Sequence, residues 1–160
     1  MHLHHSLRFI AITAFVFLCV QPATAVINLN MPLSKIFESV KAVVVASVTG
    51  VNTENRVIEL KSTELLKGEA VGESFRVQIA APAELINKIS AGQPLVLFTG
   101  EDLGKPVALI HLADTWLLAE FLPASKTPAW RVIQAHEAKR SFSGTTAELV
   151  KVVTALKVAK

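Results

Sequence analysis

The chain has 160 residues, a formal net charge of +3 and one cysteine, and 51% of its residues are hydrophobic. This length fits a single domain. Lys139-Arg140 is the only adjacent pair of basic residues, so the clustered positive surface of a nucleic-acid-binding protein is not expected.

The first 25 residues have the pattern of a cleaved secretory signal peptide. Arg8 precedes an apolar run, Phe9–Val20, which Gln21-Pro22 interrupts. The run is about a dozen residues long, whereas a helix that spans a bilayer needs roughly twenty. Ala23 and Ala25 occupy the two positions that a signal peptidase recognises. We predict cleavage after Ala25, a periplasmic or secreted location, and no stable membrane insertion of the mature chain.

The predicted mature chain, Val26–Lys160, differs chemically from the precursor. Cys19 is the sole cysteine and leaves with the signal peptide, as does Arg8, which lowers the formal net charge to +2. The mature chain therefore has no thiol for a disulfide, a metal site or a nucleophile. A small exported domain without disulfides depends on its hydrophobic core for stability.

Periodicity predicts alternating strands and short helices in the first half of the mature chain. Apolar residues at helical spacing predict a helix over Leu33–Val40. A β-branched run, Ala42–Val51, and an alternating segment, Arg56–Leu66, predict two strands of a hairpin. Strict alternation over Glu73–Ile79 predicts a half-buried strand. A short helix with proline in its first turn is predicted over Pro82–Ser90.

The second half continues with strands and ends in a helix. Strands are predicted over Pro94–Thr99, Val107–Leu112, Thr115–Leu122 and Trp130–Ala135. A polar turn is predicted over Gly100–Lys105. Thr145 and Glu148 have the spacing of a capping box, which predicts a C-terminal helix over residues 145–158.

The order of these elements predicts a single domain over residues 26–160 that is mainly β with flanking helices. A helix between the third and fourth strands is the arrangement of the OB-fold. We therefore expect an OB-fold-like antiparallel Greek-key barrel with an added β-hairpin and a C-terminal helix.

Four segments carry a resemblance to a known family. They are Ala42-Val43-Val44-Val45-Ala46-Ser47-Val48-Thr49, Val57-Ile58-Glu59-Leu60, Glu64-Leu65-Leu66-Lys67-Gly68, and Gly92-Gln93-Pro94-Leu95-Val96-Leu97-Phe98. Together they resemble netrin-like and tissue-inhibitor-of-metalloproteinase-like OB domains over about residues 42–99. The resemblance implies an OB-fold in what we predict to be an exported bacterial protein. It does not transfer the inhibitor mechanism, because those inhibitors insert an N-terminal cysteine into a zinc site and the predicted mature chain has none.

The mature chain carries no motif that predicts catalysis, a metal or a cofactor. It contains no G-x-S-x-G elbow, H-E-x-x-H zinc motif, P-loop, EF-hand loop or dinucleotide fingerprint. Its only histidines are His111 and His136. We predict no catalytic residues, no metal and no cofactor.

Five residues remain as weak candidates for a binding site. A tight hairpin would bring His111, Asp114 and Trp116 together, and His136 follows on the next strand. This cluster is either a weak metal or acid–base site, or a set of turn and core contacts, and the second interpretation is favoured because turns need polar residues for structural reasons. Trp116 and Trp130 are candidate stacking surfaces for a peptide, sugar or base, although large aromatic residues more often pack in cores.

The leading hypothesis is an exported, non-enzymatic binding module that holds a protein or peptide partner on a barrel face, without nucleic acid. One alternative is a protease inhibitor whose N-terminus, at Val26, lies beside the barrel mouth. Another is a small hydrolase-type enzyme in which His111, Asp114 and His136 converge. A further alternative is a structural component of the cell envelope. The sequence leaves the partner and the oligomeric state open.

Overall fold

The computed structural model describes residues 30–136 and 140–158, so the predicted signal peptide with Ala23 and Ala25 lies outside the described residues. Within these ranges the chain forms two α-helices, seven β-strands and one 3-10 helix. The elements in chain order are α1 Leu33–Ser39, β1 Ala42–Asn52, β2 Val57–Lys67, β3 Ser74–Ile79, the 3-10 helix Ala83–Lys88, β4 Pro94–Asp102, β5 Lys105–Leu112, β6 Thr115–Phe121, β7 Ala129–His136 and α2 Thr146–Val158.

The seven strands form a closed barrel in the order β1-β2-β3-β7-β6-β5-β4, with β4 pairing back onto β1. Neighbouring strands are antiparallel except for β3 and β7, which pair in parallel. The predicted OB-fold-like barrel with flanking helices is thereby confirmed. The added hairpin, β5–β6, is part of the barrel wall between β4 and β7.

Side chains that alternate along the strands build two apolar layers, because successive residues of a strand point to opposite faces. On β4, Leu95 and Leu97 belong to the cluster inside the barrel, whereas Val96 and Phe98 belong to a second cluster. The second cluster lies on the outer face of the barrel, where α1 and α2 pack. Leu149 of α2 is among its fully buried members. Burial on both faces explains the unbroken apolar runs of β1 and β4.

The two ends of the barrel differ. Leu85 and Ile86 of the 3-10 helix, together with Ile89, pack into the interior cluster between the end of β3 and the start of β4. These three residues plug that end of the barrel. The short helix predicted over Pro82–Ser90 is present as a 3-10 helix rather than an α-helix. We call the opposite end the mouth; β1, β3, β5 and β7 begin there, and β2, β4 and β6 end there.

The loop between β4 and β5 at the mouth is tighter than the turn predicted over Gly100–Lys105. The two strands pair as far as Asp102 and Lys105, which leaves a loop of two residues. Leu103 and Gly104 have φ angles of 47° and 76°, both in the region that a type I′ turn requires. The side chain of Leu103 is 91% exposed.

Lys67 and Gly68 attach α1 to the barrel. The Lys67 ammonium donates to the carbonyl oxygens of Phe37, Glu38 and Val40 at 2.8, 2.6 and 2.7 Å. A positive charge at this position stabilises the C-terminal end of a helix. Gly68 has a φ of +73°, and a Cβ atom there would lie 2.0 Å from the carbonyl oxygen of Lys41. The Lys-Gly pair of the family resemblance therefore has a local structural role in this chain.

Gly68→Ala is expected to destabilise the protein much more than Gly92→Ala. Gly92 also has a positive φ, +85°, but a Cβ atom there would meet nothing within 4 Å. The left-handed conformation alone costs about 1–2 kcal/mol for a residue with a Cβ, and the collision at Gly68 adds at least about 2 kcal/mol. Urea unfolding of the two variants measures the difference, and equal losses would show that the contact with Lys41 is not restrictive.

Candidate functional site

Two of the predicted candidates, His111 and Trp116, lie on the outer face of the barrel at the plugged end. They are opposite each other in the β5–β6 pair, and their rings meet edge to face with centroids 4.7 Å apart. His111 is 1% exposed and Trp116 is 4% exposed. The indole Nε1 of Trp116 donates to the carbonyl oxygen of Phe142 at 2.9 Å. Trp116 is therefore a packing residue with a satisfied polar group, rather than a free stacking surface.

Asp114 and His111 converge on Thr146, the first residue of α2. The Asp114 carboxylate accepts a hydrogen bond from the Thr146 backbone N–H at 2.7 Å, and the Asp114 backbone N–H donates to Thr146 Oγ1 at 3.1 Å. His111 Nδ1 lies 2.9 Å from the same hydroxyl oxygen. A carboxylate near the first turn stabilises a helix by partnering a free backbone N–H and by interacting with the helix dipole. These contacts dock α2 onto the barrel.

The predicted capping box occupies the same helix end. The Glu148 carboxylate accepts from the Thr145 backbone N–H at 2.8 Å, and Thr145 Oγ1 accepts from the Glu148 backbone N–H at 3.2 Å. The hydrogen bonds with Thr145 hold the pKa of Glu148 below its ordinary value. The N-terminus of α2 is therefore fixed twice, once by its own residues and once by the β5–β6 turn.

Burial lowers the pKa of His111 from 6.5 to about 4, and the nearby Asp114 carboxylate offsets part of that effect. The imidazole is consequently neutral at neutral pH. A general base works best when its pKa lies near the operating pH. His111 is thus poorly suited to acid–base catalysis, whereas a neutral ring suits an apolar interface.

His136 lies on β7, where it is paired with Trp116 of β6 in the same way as His111 of β5 is paired with Trp116. Directly paired residues share a face of the sheet, so Trp116 stands between the two histidines. His136 is half-buried, and its Nε2 has no hydrogen-bond partner within the part of the chain that the structure describes. Across residues 30–136 and 140–158, no three His, Cys, Asp or Glu side chains are grouped to hold a metal. Trp116 thus separates His136 from the cluster that docks α2.

Trp130 lies at the other end of the barrel, in a recess at the mouth. This recess has a volume of about 360 Å³, and Val71, Pro106, Phe121 and Pro128 contribute much of its apolar lining. Trp130 is the most buried side chain of the lining, at 4% exposure, and its ring meets that of Phe121 edge to face at 5.1 Å. We call this feature the mouth recess.

Trp130 differs from Trp116 in its hydrogen bonding. The indole Nε1 of Trp130 is buried and finds no acceptor among the described residues. An indole N–H is only a donor, and most buried polar groups in proteins have a partner. At the rim of the recess, Lys41 and Glu101 form an ion pair with each other. The mouth recess therefore combines an apolar wall with charges that pair at its rim, whereas the Trp130 donor is itself buried rather than exposed in the recess.

A second recess, of about 450 Å³, lies near the β1–β2 turn and is more polar. Gly50, Asn52 and Asn55 line it, together with Glu59 and Arg76, which form an ion pair at 3.2 Å. Its charged groups already have partners, and among the described residues of its lining no buried side-chain polar atom lacks a hydrogen bond. We regard the mouth recess as the stronger candidate site.

Among the described lining residues of this recess, Trp130 was the one candidate from the sequence, and its apolar neighbours were missed. Val71, Pro106, Phe121 and Pro128 come from separate loops and strand ends, and only closure of the barrel brings them next to Trp130. Because these residues are far apart in the chain, no local sequence pattern reveals them as one set.

No protein-family model and no curated protein matches this sequence. Within the described ranges, neither helix has the length and apolar character needed to cross a bilayer.

Thr146→Val is expected to lower the free energy of unfolding by about 1–3 kcal/mol. The substitution keeps the side-chain shape but removes the hydroxyl from the buried contacts with His111 and Asp114, and leaving such groups unpaired carries a cost of this size. Thr146→Ser keeps the hydroxyl and is the matched control. Chemical denaturation measures both variants; if the valine variant is as stable as the serine variant, the hydroxyl does not dock α2.

The buried histidine also predicts a pH dependence. Between pH 6.5 and about 4 the unfolded chain binds a proton at His111 that the folded chain does not, so stability is complete above this window and falls as the pH is lowered through it. At about 1.4 kcal/mol per pKa unit, the loss amounts to about 3 kcal/mol. Unfolding curves across the window should show a smaller decrease for His111→Gln, and parallel decreases for both proteins would contradict the assignment.

Proposed function

We propose that this protein is an exported, non-enzymatic binding module that holds a protein or peptide partner at the mouth of its barrel. The observation that carries the proposal is the mouth recess, whose wall is mostly apolar and includes the ring of Trp130. Recesses that are mostly apolar, with a few polar groups, are typical of binding sites. The predicted signal peptide supports export. The resemblance in the strands supports membership of the netrin-like OB group.

Barrel closure favours the mouth over the barrel wall as the binding site. A closed sheet has no free edge, so a partner cannot extend it by adding a strand, which is one of the common ways in which proteins bind peptides. α1 and α2 cover part of the outer face, and the 3-10 helix plugs the other end. The mouth is therefore the part of the barrel into which a partner can insert a side chain.

Leu103 gives the mouth a second apolar element. Its side chain is 91% exposed at the tip of the β4–β5 loop, and the flanking residues Glu101 and Pro106 line the recess. The left-handed backbone at Leu103 costs about 1–2 kcal/mol compared with glycine. A large apolar residue in a strained, solvent-exposed turn does not serve the core. It fits a contact surface beside an anchoring recess.

The remaining hypotheses receive less support. The proposed hydrolase depends on His111 and Asp114, which are both engaged with Thr146, and His111 is neutral and buried. The inhibitor alternative depends on Val26, which lies outside the described residues. The carbonyl oxygen of Met31 accepts a hydrogen bond from Ser141 Oγ at 2.9 Å, beside the α2 docking contacts rather than at the mouth.

Two matched variants test the proposed function. Val71 lines the mouth recess and Val57 lines the polar recess, and both are half-buried. The full-length protein, expressed with its N-terminal segment, is used to capture interacting proteins from periplasmic and secreted extracts of its own organism. Val71→Asp is expected to weaken capture of the partner at least about tenfold, because central anchor contacts contribute at least that much affinity.

Val57→Asp should capture the same partner as the wild-type protein. Circular dichroism and urea unfolding establish that both variants are folded before the comparison. Undiminished capture by folded Val71→Asp would refute the proposed location, and selective loss in Val57→Asp would move the binding site to the polar recess.

A further inference from the structure

We propose that His111, Asp114 and Thr146 form a latch that opens on acidification, when a proton on His111 releases α2 from the apolar outer face of the barrel. This latch lies at the end of the barrel opposite to the mouth, so it is independent of the proposed function. Three features of the structure support it: the burial of His111 at the start of α2, the charges around its ring, and the separation of the barrel core from α2.

His111 is buried where a positive charge is poorly solvated. Its ring contacts Thr146, the first residue of α2, and the rings of Trp116 and Phe142 meet it edge to face at 4.7 and 5.9 Å. Burial disfavours the charged form of a histidine, and it lowers the pKa of His111 to about 4. A movement that returns the ring to water restores its affinity for a proton. Acid therefore favours a state in which this ring is uncovered.

The charge nearest to the ring does not compensate for its burial. Asp114 is the charged residue of the described ranges that acts on His111, and it offsets only part of the effect of burial. Its carboxylate accepts from the Thr146 backbone N–H at 2.7 Å, whereas the ring contacts the Thr146 hydroxyl at 2.9 Å. A buried charge without a direct counter-charge is costly. A proton on the ring therefore disfavours the closed latch.

The other titratable groups around the start of α2 lie outside the latch. Glu148 and Lys151 are exposed on α2 and interact with each other. His136 of β7 lies on the far side of Trp116 from His111. A response of α2 between pH 6.5 and about 4 is therefore assigned to His111.

The barrel keeps its own core when α2 leaves. Among the described residues, none of the members of the interior cluster belongs to α2, and the strands pair with one another around the complete barrel. A peripheral element on which the core does not depend can open at a lower free energy than the whole fold. Release of α2 is therefore the least disruptive way to uncover His111.

Beyond the latch, α2 is attached mainly by two fully buried apolar side chains, Leu149 and Val153. At its other end Lys157 forms an exposed ion pair with Glu64 at 3.0 Å, and such pairs contribute little to stability. Release of the helix uncovers the outer cluster of the barrel, which includes Phe98. The latch thus connects acidity to the exposure of an apolar surface.

Hydrogen exchange of the ¹⁵N-labelled full chain between pH 7 and 4 tests the latch, with each rate corrected for the intrinsic rate at that pH. Protection of the α2 amides, residues 150–157, should fall about 100-fold on acidification, because the opened state takes up a proton that the closed state excludes. The indole N–H of Trp116, which donates to Phe142, should follow the helix. Amides of residues 95–98 in β4 should stay at least about tenfold more protected than those of α2 at every pH.

Two histidine variants separate the latch from other effects of acid. His111→Gln should lose most of the pH-dependent change in α2, and His136→Gln, the matched control, should keep it. Equal protection of the α2 and β4 amides at every pH would show that acid loosens the whole fold rather than the helix, which would overturn the proposal. An unchanged α2 response in folded His111→Gln would also overturn it. If that variant does not fold, the comparison of α2 with β4 in the wild-type protein still decides the outcome.

Discussion

The parallel pairing of β3 with β7 closes the sheet, and the rest of the architecture depends on that closure. The pairing joins Arg76–Ile79 to Ala129–Val132, segments that are distant in the chain. Once the sheet is closed, every strand has an inner and an outer face, and the alternating side chains separate into a barrel interior and a layer under the helices. The same closure removes free edges and leaves two ends, of which the 3-10 helix fills one. It also assembles the mouth recess, whose lining comes from β4, β5, β6 and β7 and from the loops that precede β1, β3 and β7.

The two tryptophans illustrate how the ends of the barrel differ. Trp116 packs under α2 and donates to a backbone carbonyl, so its aromatic and polar parts are both used within the fold. Trp130 faces the interior at the mouth, and its donor is not used within the described residues. One end of the barrel thus secures the C-terminal helix through His111, Asp114 and Thr146. The other end holds the apolar mouth recess, at which we propose that a partner binds.

Local patterns were sufficient to predict most of the fold but little of the site. Alternation along strands such as Glu73–Ile79 depends on burial of one face, and the capping box at Thr145 depends on residues three apart; both signals lie within short segments. The cluster at His111 was also visible as a hairpin, yet its role depends on Thr146, which is 35 residues away from His111. The mouth recess depends on contacts between segments that only the closed barrel brings together. The signal peptide and the netrin-like resemblance remain predictions.

Hydrogen exchange of the full chain, measured with and without its captured partner, tests most directly whether the mouth is the binding end. Amide groups of residues 99–106 and 121–130 border the recess and should exchange more slowly in the complex. Residues 50–59, beside the polar recess, and residues 145–149, at the start of α2, should exchange at unchanged rates. Protection confined to either of these latter segments would contradict the assignment of the mouth as the binding site.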